Sequence, residues 1–77
     1  MDPQARRKLV EALQARQAGE WDKALELFRR WGKYLDPAVL AYLRGSVWQE
    51  AGDSATAALF FAEAGRLAPD NDAKAAM

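Results

Sequence analysis

Ala18-Gly19-Glu20-Trp21-Asp22-Lys23-Ala24-Leu25, followed by Phe28 and Gly32, has a second version in this chain. It reads Ala51-Gly52-Asp53-Ser54-Ala55-Thr56-Ala57-Ala58, followed by Phe61 and Gly65. Each position of the second version lies 33 residues after its mate. Ala18 pairs with Ala51, Gly19 with Gly52, acid with acid at 20 and 53, Ala24 with Ala57, Phe28 with Phe61, and Gly32 with Gly65. A template recurring at this period marks one supersecondary unit that is copied and stacked. Stacked units expose faces for binding and rarely assemble catalytic centres. An interaction module is therefore expected, and an enzyme is not.

The local signals are helical. Ala, Leu, Arg, Lys, Gln and Glu dominate, and no run alternates β-branched or aromatic residues with polar ones. Asp2-Pro3 supplies an N-cap followed by proline at the first helical position. Ala5, Leu9, Ala12, Leu13 and Ala15 then recur at helical spacing, and Gly19 suits the left-handed residue after a helix. These features predict a first helix over about residues 3–18. A second starts near Trp21 or Asp22, carries Ala24, Leu25, Leu27, Phe28 and Trp31, and ends before Asp36, with Gly32 loosening its last turn. Asp36-Pro37 repeats the N-terminal signal and opens a third helix, which Gly52-Asp53 ends. A fourth spans about residues 54–67, stopped by Pro69. Links of a few residues force antiparallel neighbours, so the units are helical hairpins. Phe28 and Phe61 are expected to be buried at equivalent sites, as are Ala24 and Ala57, and Gly19 and Gly52 are expected at positive φ.

Composition bounds the chemistry. The 77 residues allow one small domain with a thin core, and 51% hydrophobic content argues against disorder. Net charge is zero, which gives no global attraction to nucleic acid or to a membrane surface. Cysteine and histidine are both absent, removing disulfides, thiolate metal sites and the commonest general base. No catalytic residue, metal site or cofactor is assigned. No apolar run nears the ~18–20 residues that span a bilayer, and a cytoplasmic location is expected. Charge is uneven, however. Residues 1–35 hold eight bases against five acids, and residues 36–77 three bases against six acids. Head-to-tail or antiparallel self-association would bring unlike charges together.

The two copies resemble the tetratricopeptide repeat. The second carries Gly45, Trp48, Gly52-Asp53, Ala57, Phe61, Ala64 and Pro69-Asp70-Asn71; the first carries Ala12, Gly19-Glu20-Trp21, Ala24 and Phe28. The first departs where Trp31 replaces a small residue and Pro37 falls one position late. The resemblance implies a single domain, with repeat 1 over about 3–36, repeat 2 over about 37–70 and a tail at 71–77. Its fold would be all-α, two antiparallel helix-turn-helix hairpins stacked as a short right-handed α-solenoid. It also implies an adaptor or scaffold whose first and third helices line a concave groove for a peptide or partner-protein segment. The groove-facing positions would be Arg6, Leu9, Leu13, Arg16 and Gln17, with Val39, Tyr42, Ser46, Gln49 and Glu50. Family members that clamp a C-terminal carboxylate use Lys and Asn at such positions, where Leu9 and Leu13 stand here. The groove is expected to have an apolar floor and an Arg–Glu rim.

The alternative is a homo-oligomerisation module. Two repeats are fewer than the three or so that usually make an independent solenoid, and neither end shows an obvious polar cap. Leu59 and Phe60 of the fourth helix would lack a covering repeat unless residues 70–77 fold back. Trp31 and Tyr34 join them as self-association candidates, because aromatics with uncertain cover mark interfaces. Trp21 and Trp48 are expected in the core. A distant third reading is nucleic-acid binding through Arg6-Arg7-Lys8, Arg16 and Arg29-Arg30-Lys33, although no surface aromatics interleave with these bases.

Overall fold

The computed structural model describes residues 2–68. Its elements are α1 (Pro3–Gln17), α2 (Trp21–Trp31), α3 (Pro37–Glu50) and α4 (Ser54–Leu67), with a 3-10 turn at Gly32–Tyr34 closing α2. No strand occurs among the described residues. α1 packs on α2 and α3 on α4 as two hairpins, which stack mainly through α2 against α3. The assembly is 16 Å across its thinnest dimension, little more than one helix of ~10–12 Å. Such a slab can bury few side chains completely.

Both hairpins turn by the same device. Gly19 and Gly52 have φ of 80° and 94°, a region costly for any residue with a Cβ. After α1, Gly19 N–H donates to Arg16 O and Glu20 N–H to Ala15 O; after α3, Gly52 N–H donates to Gln49 O and Asp53 N–H to Trp48 O. These paired bonds form a Schellman motif and satisfy carbonyls that the helix end would orphan. The two Asp-Pro starts differ. Asp36 accepts from Ala38 N–H at 3.0 Å and Val39 N–H at 3.3 Å, capping α3. Asp2, exposed before α1, makes no side-chain cap bond; only its carbonyl accepts, from Arg6 N–H.

Leu9, Ala12, Ala15, Ala24, Phe28 and Val47 form the buried core, with Trp21, Leu25, Leu27, Trp31, Leu35, Leu40 and Leu43 packed against it. Val47 belongs to α3 and the other buried members to the first hairpin, so the core is closed by the second hairpin lying on the first. Gly32 shows how tightly: a Cβ there would stand 2.7 Å from Leu40 Cδ1. Within the second hairpin, a Cβ on Gly45 would meet Phe61 Cε1 at 2.7 Å. Small residues thus let helices approach while large ones fill the space beside them.

The expected equivalence of the two copies holds for Ala24 and Ala57, both fully buried, and fails for the phenylalanines. Phe28 is fully buried, whereas Phe61 is only half-buried. α3 covers Phe28; Phe61 packs on Gly45 and the tilted ring of Tyr42, at 5.6 Å, and remains half-buried. Gly65 repeats the contrast, since among the described residues a Cβ there meets nothing within 4 Å. Trp21 and Trp48 are half-buried rather than interior. The proposed folding back of residues 70–77, and the stop at Pro69, lie outside the described residues; Ala68, at the end of α4, is extended (φ −62°, ψ 141°).

Paired substitutions test this asymmetry by denaturant unfolding. Phe28→Ala is expected to cost ~3–5 kcal/mol, enough to unfold much of so small a domain, and Phe61→Ala clearly less. Gly32→Ala should destabilise by ~1–3 kcal/mol through overpacking on Leu40. Gly65→Ala, in open space within α4, should stabilise by up to ~1 kcal/mol. Equal effects within either pair would contradict the stacking described.

Candidate partner-binding face

α1 and α3 carry the ten groove positions expected from the sequence, and the structure divides them. Leu9 is 7% exposed and sits in the core with Phe28 and Val47, so it is not a groove residue. The reason is again the stack: the second hairpin closes over Leu9, while Tyr42, its mate 33 positions later, has no such cover and is 58% exposed. Leu13 and Val39 are also exposed, at 36% and 46%. Arg6, Gln17, Gln49 and Glu50 are exposed and polar. Ser46 is half-buried and its hydroxyl donates to Leu43 O at 2.7 Å, back onto its own helix.

Arg16 and Glu50 are the pair that the fold brings together across α1 and α3, Nη1 to Oε2 at 3.6 Å. With Glu50 half in solvent, such a contact is worth ~0–1 kcal/mol. Arg16 Nε is buried without a hydrogen-bond partner among the described residues. The 3.6 Å contact with Glu50 leaves Nη donors for another acceptor.

The outward side of α1 is mostly polar, with Val10, 45% exposed, as its apolar member, and was not recognised from the sequence. Arg7, Val10 and Gln14 stand 33 positions before Leu40, Leu43 and Val47, the residues with which α3 seats on the first hairpin. Glu11 beside them pairs with Lys8 at 3.6 Å and with Lys23 of α2 at 3.3 Å. The hydrogen bond from Lys23 and the charge of Lys8 hold the Glu11 carboxyl below the usual glutamate range. The N-terminal end of the stack is thus capped by solvated ions, contrary to the expectation of two bare ends. The signal was present as the substitution of Leu, Leu and Val by Arg, Val and Gln between the copies.

The self-association candidates also separate. Trp31 is half-buried against the core and stacks on Tyr34 at 6.1 Å; Tyr34 is 41% exposed with Lys33 Nζ 5.5 Å from its ring. Phe60 is half-buried, with the Arg44 guanidinium 5.7 Å from its ring. Leu59 is 72% exposed and is the barest large apolar side chain among the described residues. Of the basic clusters, Lys8 is paired as above and Arg29 binds Glu26 through two hydrogen bonds of 3.1 and 2.7 Å. Among the described residues no group of acids is placed to hold a metal ion, and no helix is long and apolar enough to cross a membrane. The chain matches no family model, no curated protein and no solved structure.

Acid should probe the charged details of this scaffold. Thr56 donates to Asp53 from its backbone N–H at 3.0 Å and from Oγ1 at 2.8 Å, and these bonds hold the Asp53 carboxyl below its usual range. Glu26 is lowered by its bond from Arg29 and Glu11 by Lys23 and Lys8. A folded-state pKa below the unfolded one stabilises the fold above the unfolded value, and the gain vanishes as pH falls through the lowered value. The melting temperature should therefore drop as pH falls below about 4, and Asp53→Ala should remove part of that drop. A slope unchanged by Asp53→Ala would show that this cap contributes nothing.

Proposed function

We infer that the chain is a protein–protein interaction module, an adaptor or scaffold unit made of two tetratricopeptide-like hairpins. Its α1/α3 face takes a peptide or an extended segment of a partner protein. The exposure of Leu13, Val39 and Tyr42 on these two helices carries this reading. A thin fold with few buried side chains leaves Leu13, Val39 and Tyr42 exposed at the expected groove positions of these helices, flanked by Arg6, Gln17 and Gln49, while Val10, also exposed, stands on the outward side of α1. Apolar anchors rimmed by polar groups are how small modules hold partners. Arg16 adds a cation that can re-pair with a carbonyl or carboxylate of the bound segment. A second reading, homo-oligomerisation, is favoured by the exposure of Leu59 on α4.

Selection of a random peptide library on the folded domain, followed by NMR titration of a selected peptide, tests the inference. Shift changes should centre on Leu13, Val39 and Tyr42, and Tyr42→Ala or Leu13→Asp should weaken binding roughly tenfold or more, as loss of an anchor does. Perturbations confined to α2 and α4, or binding indifferent to both variants, would reject the α1/α3 face.

A further inference from the structure

The outward stripes of α2 and α4 occupy equivalent places in the two hairpins but differ in chemistry. On α2 and the 3-10 turn that closes it the stripe is Asp22, Glu26, Arg29 and Lys33, all exposed, with Glu26 and Arg29 paired at 2.7 Å. Thirty-three positions later it is Ala55, Leu59, Ala62 and Arg66, also all exposed. The repeat itself therefore does not require an apolar residue at this position, since the first hairpin carries a solvated ion ladder there. Beside the α4 stripe, Ala58 and Gly65 are exposed too. A helix that is apolar around most of its circumference is a helix that becomes buried.

We propose that α4 docks antiparallel against α4 of a second copy, about a two-fold axis between Leu59 and Ala62. This deepens the homo-oligomer reading and does not depend on the α1/α3 face. Three observations select a second copy as the occupant. The first is self-complementarity: Leu59 is one large knob among small residues, and the two-fold seats it beside the partner's Ala58, Ala62 and Gly65. An isologous contact needs a surface that fits itself in this way. Charge is the second. Antiparallel pairing carries Arg66 to the N-terminal end of the opposite helix, beside the partner's Asp53, so each dimer gains two opposite-charge approaches. Closure is the third. Head-to-tail stacking would need a continuous apolar mate on α1, but Val10 is the one apolar residue of that seat, between Arg7 and Gln14 and next to the Lys8–Glu11–Lys23 ions. Assembly through α4 therefore stops at two.

Size sets the strength. α4 has 14 residues, about 21 Å of helix, so the contact falls below the ~1,200 Å² of ordinary stable interfaces. The dimer is weak and reversible, with Kd in the roughly 10–100 μM range. Phe60 and Trp31 contribute little, being covered by Arg44 and by the core and Tyr34 respectively.

Sedimentation equilibrium over a concentration series tests the proposal. The wild-type chain should fit a monomer–dimer equilibrium. Leu59→Glu, which installs the residue type that Glu26 supplies on α2, should raise Kd at least tenfold while leaving helicity and melting temperature unchanged. Ala62→Gln, which fills the seat of the partner's leucine, should do the same and serves as an independent variant should Leu59→Glu fail to fold. Arg66→Glu should weaken the dimer severalfold and reduce its salt sensitivity. Leu13→Asp, on the other face, should leave Kd within twofold. A wild-type chain monomeric at about 500 μM, a dimer that survives Leu59→Glu and Ala62→Gln, or one dissociated by Leu13→Asp instead, would overturn the proposal. Peptide binding at the α1/α3 face is measured separately in Leu59→Glu, so failure of one reading is distinguishable from failure of the other.

Discussion

The seating of Leu40, Leu43 and Val47 on the first hairpin is the contact on which the rest of the structure depends. A single helical hairpin has one side on which to bury apolar residues and cannot hold it from water alone. Here Val47 closes over Phe28 and Leu9, and Leu40 fits onto Gly32 so closely that a Cβ there would force the Leu40 side chain to shift. The first hairpin gains an interior by this means. The second hairpin supplies the cover and receives none among the described residues, which leaves Phe61 half-buried, Tyr42 exposed and Gly65 in open space. The two ends of the stack therefore differ in kind, one closed by ions and the other apolar.

Local structure was legible because it is encoded locally. The Schellman glycines, the prolines at first helical positions and the small residues between helices act over one turn of chain, and they placed α1, α3 and α4 within a residue or so of their observed ends; α2 was expected to reach Asp36 and instead gives way at Gly32 to the 3-10 turn. Burial was less legible, because it depends on what lies beyond the repeat. Phe28 and Phe61 occupy equivalent positions in the template and differ because one has a neighbour on its far side. Leu9 and Tyr42 were assigned to one groove by the same translation and were parted for the same reason. The polar end of α1 was visible in Arg7 and Gln14, but only once α3 had shown which positions make the seat.

The functional reading rests on surface chemistry rather than on a site with one answer. The fold is 16 Å across its thinnest dimension and buries few side chains completely, and the Lys8–Glu11, Lys23–Glu11 and Arg29–Glu26 pairs lie at its surface. Its distinctive property is the partial segregation of exposed apolar groups onto two faces, α1/α3 and α4, with Val10 and Tyr34 lying outside them, while the outward stripe of α2 is ionic. Such segregation supports two contacts at once, one with a partner segment and one with a second copy. A weak dimer presenting two partner-binding faces would bind a bivalent target with avidity beyond that of either face alone.

The two hairpins form one body through the α2–α3 seam. Nuclear Overhauser contacts in solution examine that seam directly. Strong cross-peaks are expected from the Leu40 methyls to the Gly32 α-protons and from the Val47 methyls to the Phe28 ring. Absence of both sets, with the hairpins each showing only internal contacts, would contradict this packing.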